Sequence, residues 1–161
     1  MNHLEQLIFE WLELKGYFVR HNINVGKLGH GGHEMELDIL AYHPKDNHLL
    51  QIEPSLDAHT WEIRERRYKK KFSAGEKYIK LFFPWIDKRT KFEQWAVLAA
   101  SDQNHKTIGG GTVVPISRLI EEISKYVRTY GPPSRHAIPE QYPLLRTIQS
   151  VKYFDRNGAG K

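Results

Sequence analysis

Asp38 and Glu53 lie on two runs of alternating apolar and polar residues joined by the short polar segment HPKDNHL, a spacing that can bring both carboxylates to one face of a sheet. In MELDILAY, residues 35–42, Glu36 and Asp38 share one parity while Leu37, Ile39 and Ala41 share the other. In LLQIE, residues 49–53, Gln51 and Glu53 fall together and Leu50 and Ile52 fall opposite. Facing carboxylates repel unless a cation lies between them, and a hard divalent ion takes oxygen ligands of this kind. The pair therefore reads as a metal site. The same alternation is also what a half-solvated antiparallel sheet shows, with Glu36, Asp38, Gln51 and Glu53 facing water.

The second feature that could do chemistry is a basic stretch. Between Trp61 and Lys80 stand eight Lys and Arg residues against three Glu, a surplus equal to the +5 of the whole chain. Concentrated on one face, Arg64, Arg67, Lys69, Lys70 and Lys71 could neutralise phosphates and steer nucleic acid toward the carboxylates. A solvated helix face accounts for such a run equally well. His30 and His33, in the glycine-rich stretch of residues 26–33, could ligate a metal but suit an exposed loop, and His59, His105 and His136 fit no ligand pattern.

These groups need elements to position them. Leu4, Leu7, Ile8, Trp11 and Leu12 recur at helical spacing, predicting a helix over residues 3–15, and Asn2 with Glu5 fits a capping box at its start. A short extended run at Tyr17–Arg20 leads to the glycine-rich loop and the two carboxylate strands. Pro54 ends the second strand, and Asp57 or Thr60 could cap a helix over residues 58–74 stopped by Gly75, with Trp61, Tyr68 and Phe72 as its buried stripe. Residues 78–83, 94–100 and 112–114 read as further strands, and residues 116–127 and 139–151 as further helices. The sum is an α/β fold: a central mixed β-sheet flanked by helices, with antiparallel strands near the hairpin and parallel ones across helical crossovers. One domain over residues 1–154 is expected, with residues 155–161 a tail. With 161 residues and no cysteine, the chain has room for a core and excludes disulfides and thiolate zinc sites. No apolar run spans a membrane and no signal peptide begins the chain, so a soluble, cytoplasmic protein is expected.

In this order the pieces resemble the restriction-endonuclease-like superfamily, whose shared motif is PD-(D/E)XK. The matching parts are Glu5 in NHLEQLIFEWLELKGYFV, Glu36-Leu37-Asp38-Ile39-Leu40-Ala41, and Leu49-Leu50-Gln51-Ile52-Glu53-Pro54-Ser55. The resemblance covers residues 3 to about 83 and is topological beyond. It implies a restriction-endonuclease-like sheet and an Mg2+-dependent DNA endonuclease, with Mn2+ as a substitute ion. Asp38 and Glu53 would hold the metal with the Pro54 carbonyl, and Glu5 would orient a water or a second ion. Capping alone also explains Glu5. Ser55 stands where the motif has its lysine, so either a basic side chain of the next helix, Arg64, Arg67, Lys70 or Lys71, supplies the missing charge or the site binds without cutting. Arg64 and Tyr68 resemble the QxxxY motif of some exonuclease members; with Arg in first place, Tyr68 reads as core and Arg64 as a phosphate contact.

Two functions remain open at this point. One is the endonuclease, with Glu5, Asp38, Glu53 and Ser55 as the catalytic positions. The other is an inactive nuclease-like module that binds DNA or a protein. A domain of this size cuts one strand per site, so double-strand cleavage would require a homodimer or a partner subunit.

Overall fold

A computed structural model of the chain describes residues 1–99 and 104–154; Ala100, read as a strand end, and residues 155–161, read as a tail, lie outside the described residues. The elements are α1 (His3–Leu14), β1 (Phe18–Lys27), β2 (His33–His43), β3 (His48–Ser55), α2 (Trp61–Phe82), β4 (Lys91–Leu98), β5 (Thr107–Ile108), β6 (Gly111–Pro115), α3 (Ile116–Arg128) and α4 (Pro143–Phe154). They make an α/β fold with one six-stranded mixed sheet in the order β1-β2-β3-β4-β6-β5. Strands β1, β2 and β3 are antiparallel neighbours, whereas β4 runs parallel to β3 and β6 parallel to β4. A parallel β3–β4 pair needs a long crossover, and α2 supplies it.

Helices cover both faces of the sheet. On one, Ile8 and Leu12 of α1, Ile123 of α3 and Leu145 of α4 pack on Ile39, Leu50, Ile52 and Val97. On the other, α2 packs Ala74 and Ile79 on Leu40 and Leu49, and packs Tyr68 and Phe72 on Ala96, Leu98 and Val113. Strand β3 is buried on both faces although Gln51 and Glu53 alternate with Leu50 and Ile52 along it. Among the described residues, no helix is long and apolar enough to cross a membrane.

Several expectations about the elements are corrected, among them the end of β3, which does not stop at Pro54 but runs through it to Ser55, paired with Leu98. Gly75 does not end α2, and Tyr78–Phe83 is not a strand; the helix runs through both to Phe82. Gly75 faces the sheet where an added Cβ would collide with the side-chain amide of Gln51, so its lack of a side chain serves close approach. Beyond it, Ile79 and Phe83, four apart, bury against Leu40 and Tyr42, which gives the segment a helical face. Strand β1 extends to Lys27, far past the short run at Tyr17–Arg20, because the outer half of β2 pairs with it alone. The last helix starts at Pro143. Its first amides are satisfied from afar: the buried carboxylate of Glu10 on α1 accepts from Leu144 N at 2.9 Å and Leu145 N at 3.1 Å. A negative charge there also complements the helix dipole.

Candidate functional site

Strand β2 leaves its neighbour at Asp38. Pairing with β3 stops at Ile39–Ile52, and pairing with β1 skips Asn22 and Asp38 between the His21–Ile39 and Ile23–Leu37 pairs. Asn22 has a φ of +50°, the left-handed conformation that Asn tolerates better than most residues. Past this bend the faces exchange. Leu37 packs with Ile23, Val25 and Ala74 on the α2 side, whereas Ile39 packs on the opposite side. The shared parity of Leu37 with Ile39, expected from the sequence, thus breaks at Asp38. The Asp38 N–H instead lies 3.4 Å from Glu53 Oε2.

The two carboxylates meet over a third group. Lys71 Nζ donates to Asp38 Oδ1 at 2.7 Å and to Glu53 Oε2 at 2.6 Å. Glu53 is almost fully buried; burial and the Asp38 charge push its carboxyl up to about 8, against the opposing pull of Lys71 and Gln51. Burial works against the Lys71 ammonium, but Glu53 and Asp38 raise its pKa on balance. Asp38, Glu53, Pro54, Ser55, Arg67, Tyr68 and Lys71 line a cavity of about 210 Å³.

Behind the carboxylates lies a pair of amides that the sequence reading did not assign to the site. Gln51 Nε2 donates to Glu53 Oε1 at 2.8 Å and to the Lys71 carbonyl at 3.0 Å. Gln94 Nε2 donates to Gln51 Oε1 at 2.8 Å and to the Phe72 carbonyl at 2.9 Å. Both hydrogens of each amide are used, which fixes how the two side chains are turned. The pair ties Glu53 to the turn of α2 that carries Lys71. Tyr68 belongs to the core, as expected, and its hydroxyl donates to the Glu53 carbonyl at 3.1 Å. The available signal was Gln51 itself, a polar residue sharing Glu53's face of a strand otherwise buried on both sides.

Ser55 lines the cavity but gives its hydroxyl to Asp57 Oδ2 at 2.5 Å. Asp57 gathers the loop after β3. It accepts from the His59 amide at 3.2 Å and from Arg64 Nε at 3.2 Å, and pairs with Arg67 at 2.5 Å. Burial opposes the Asp57 carboxylate, but Ser55, Arg67, the His59 amide and Arg64 hold it well below the ordinary carboxylate range. Neither expected cap bonds the start of α2: Asp57 turns to this network, and Thr60, at the N-cap, makes no side-chain bond. Arg64 is buried against Asp57, so the expected phosphate contact is withdrawn; the short reach from the helix to this carboxylate decides its place.

Glu5 is placed elsewhere. It closes the capping box of α1, accepting from Asn2 N at 3.0 Å, and does not line the cavity. Lys69 and Lys70 line a neighbouring groove on α2, which Arg67 shares with the cavity. Neither His30 nor His33 joins a metal cluster: among the described residues, no group of three or more His, Cys, Asp or Glu could hold an ion. The cavity lining offers hard carboxylate oxygens from Asp38 and Glu53, with Pro54 next to Glu53 in the same wall and Lys71 already paired to both carboxylates. That donor set fits a hard ion keeping several waters.

No family model and no curated protein matches the chain. Three solved chains match; one is the crystal structure of a protein of unknown function, AF1548, 14% identical with a TM-score of 0.44 over 90% of this chain and 77% of that one.

Proposed function

We propose that this chain is a metal-dependent phosphodiesterase acting on DNA, with a restriction-endonuclease-like site whose positive side chain comes from α2 instead of β3. The observation that carries this reading is the position of Lys71 Nζ, within 2.7 Å of both Asp38 and Glu53 at the wall of a cavity. Ser55 on β3 has no charge, and the relocated ammonium supplies what it lacks.

Asp38, Glu53 and the Pro54 carbonyl would hold Mg2+, with Mn2+ as a substitute. Such an ion neutralises charge developing at phosphorus and acidifies a bound water. Gln51 fixes one oxygen of Glu53 and leaves the other toward the cavity. Lys71 carries its ammonium on a flexible stem and can neutralise a phosphate oxygen there. Tyr68, bonded to the Glu53 carbonyl, holds the end of β3 in register with α2.

Nicking of supercoiled plasmid with Mg2+ or Mn2+ tests this. Wild type is expected to nick, and Asp38→Ala and Lys71→Ala are each expected to lose the activity. Nicking that survives both substitutions overturns the assignment. No nicking by pure, folded wild type shifts the reading to a DNA- or protein-binding module that keeps the site without the reaction.

A further inference from the structure

Arg67 lines both the cavity and a second space, a groove of about 950 Å³ between α2 and the outer half of β2. Its α2 wall repeats at three- and four-residue spacing, from Ile63 through Arg66, Arg67 and Lys70 to Lys77, so one helix face supplies it. At 1.5 Å per residue that wall is roughly 21 Å long. The facing wall is Glu34 and Met35, carried there because β2 bends away from β3 at Asp38.

Two properties of this groove point to the same ligand. Its rim is cationic, and the one carboxylate lining it among the described residues, Glu34, is ion-paired with Lys77 at 2.9 Å and accepts from the Tyr78 hydroxyl at 2.5 Å. Its walls also carry apolar side chains: Ile63, 42% exposed, on α2, and Met35 on the facing strand. A duplex turns its bases inward and offers a surface groove mainly phosphates, whereas a single strand offers phosphates and base faces together. A cationic groove whose walls also present apolar side chains is complementary to the single strand.

We propose that the groove is a track for single-stranded DNA, with Arg67 at the junction where the strand passes into the cavity. The track rests on the phosphodiesterase reading for the phosphate that is cut, but not for binding. Contacts along α2 then select substrates with an unpaired stretch beside the scissile bond.

Fluorescence anisotropy in EDTA, where no hydrolysis occurs, compares a short labelled oligothymidylate with a blunt duplex of equal length. The single strand is expected to bind about tenfold more tightly. Ile63→Ser is expected to weaken the single strand several-fold and leave the duplex unchanged. Arg66→Glu combined with Lys70→Glu is expected to weaken single-strand binding and flatten its log–log salt slope by roughly 1.4, two contacts at 0.7 each. Equal or tighter duplex binding overturns the track, and so does an Ile63→Ser variant that binds the single strand like wild type. If Asp38-dependent nicking is absent while single-strand preference and its Ile63 dependence hold, the phosphodiesterase reading fails and the track stands. If nicking depends on Asp38 without that preference, the track fails alone.

Discussion

Gly75 lies so close to the side-chain amide of Gln51 that no Cβ fits between α2 and β3. Helix propensity alone says that Gly75→Ala should stabilise a helix interior by about 1 kcal/mol. The contact reverses the sign. Overpacking of this kind costs about 1–3 kcal/mol, and the displaced amide is the one holding Glu53 Oε1. Gly75→Ala is expected to lower the urea midpoint and to weaken nicking together; a stabilised variant with full activity would refute the packing argument.

Lys71 and Ser55 line the same cavity from different elements, so charge should be exchangeable between them. Lys71→Ala is expected to cut the nicking rate by about 10²–10³, the scale of losing one charged stabiliser of a transition state. Ser55→Lys in that background is expected to restore part of the loss. In wild type the same substitution adds little, because Lys71 already fills the role. Single-turnover rates on supercoiled plasmid separate these outcomes.

The Asp57 carboxylate is held below its ordinary range in the folded chain, so its contribution to stability is complete above the unfolded value of about 3.8 and drains away as pH falls further. Wild type is expected to lose urea resistance steeply between about pH 4 and pH 2, and Asp57→Asn to show a shallower slope there. Parallel slopes would mean that Asp57 titrates alike in both states.

Glu5 offers a clean separation of two roles. Gln can close a capping box as Glu does, so Glu5→Gln is expected to leave both melting temperature and nicking unchanged. Asn2→Ala removes the cap itself and is expected to cost about 1 kcal/mol without touching the rate. Loss of nicking in Glu5→Gln at unchanged stability would return Glu5 to the reaction.

What the sequence disclosed divides along physical lines. Period and parity made α1, β3 and α3 legible, and they placed Gln51 with Glu53 on one face, because those patterns depend on neighbours along the chain. The basic run on the helix after β3 identified Lys71 among several cations, and only tertiary distance singles it out. The exchange of faces at Asp38 was hidden because the residue opposite it, Asn22, lies on another strand, in a conformation its letter merely permits. The length of α2 was hidden for a similar reason: Gly75 looks like a stop until Gln51 is seen beneath it. Arg64 looked available to phosphate because Asp57, seven residues earlier, gives no sign in one dimension that it will fold back.

Glu10 on α1 accepts the opening amides of α4, reaching across 134 residues of chain to Leu144. On a ribosome the amino-terminal helix emerges long before its partner does. Until then its buried carboxylate has no amides to receive, and the face it occupies stays open to water. Synthesis therefore yields no finished layer early on: α1 is completed by a helix made more than a hundred residues after it, and deletion of α4 should expose Glu10 together with the apolar residues around it.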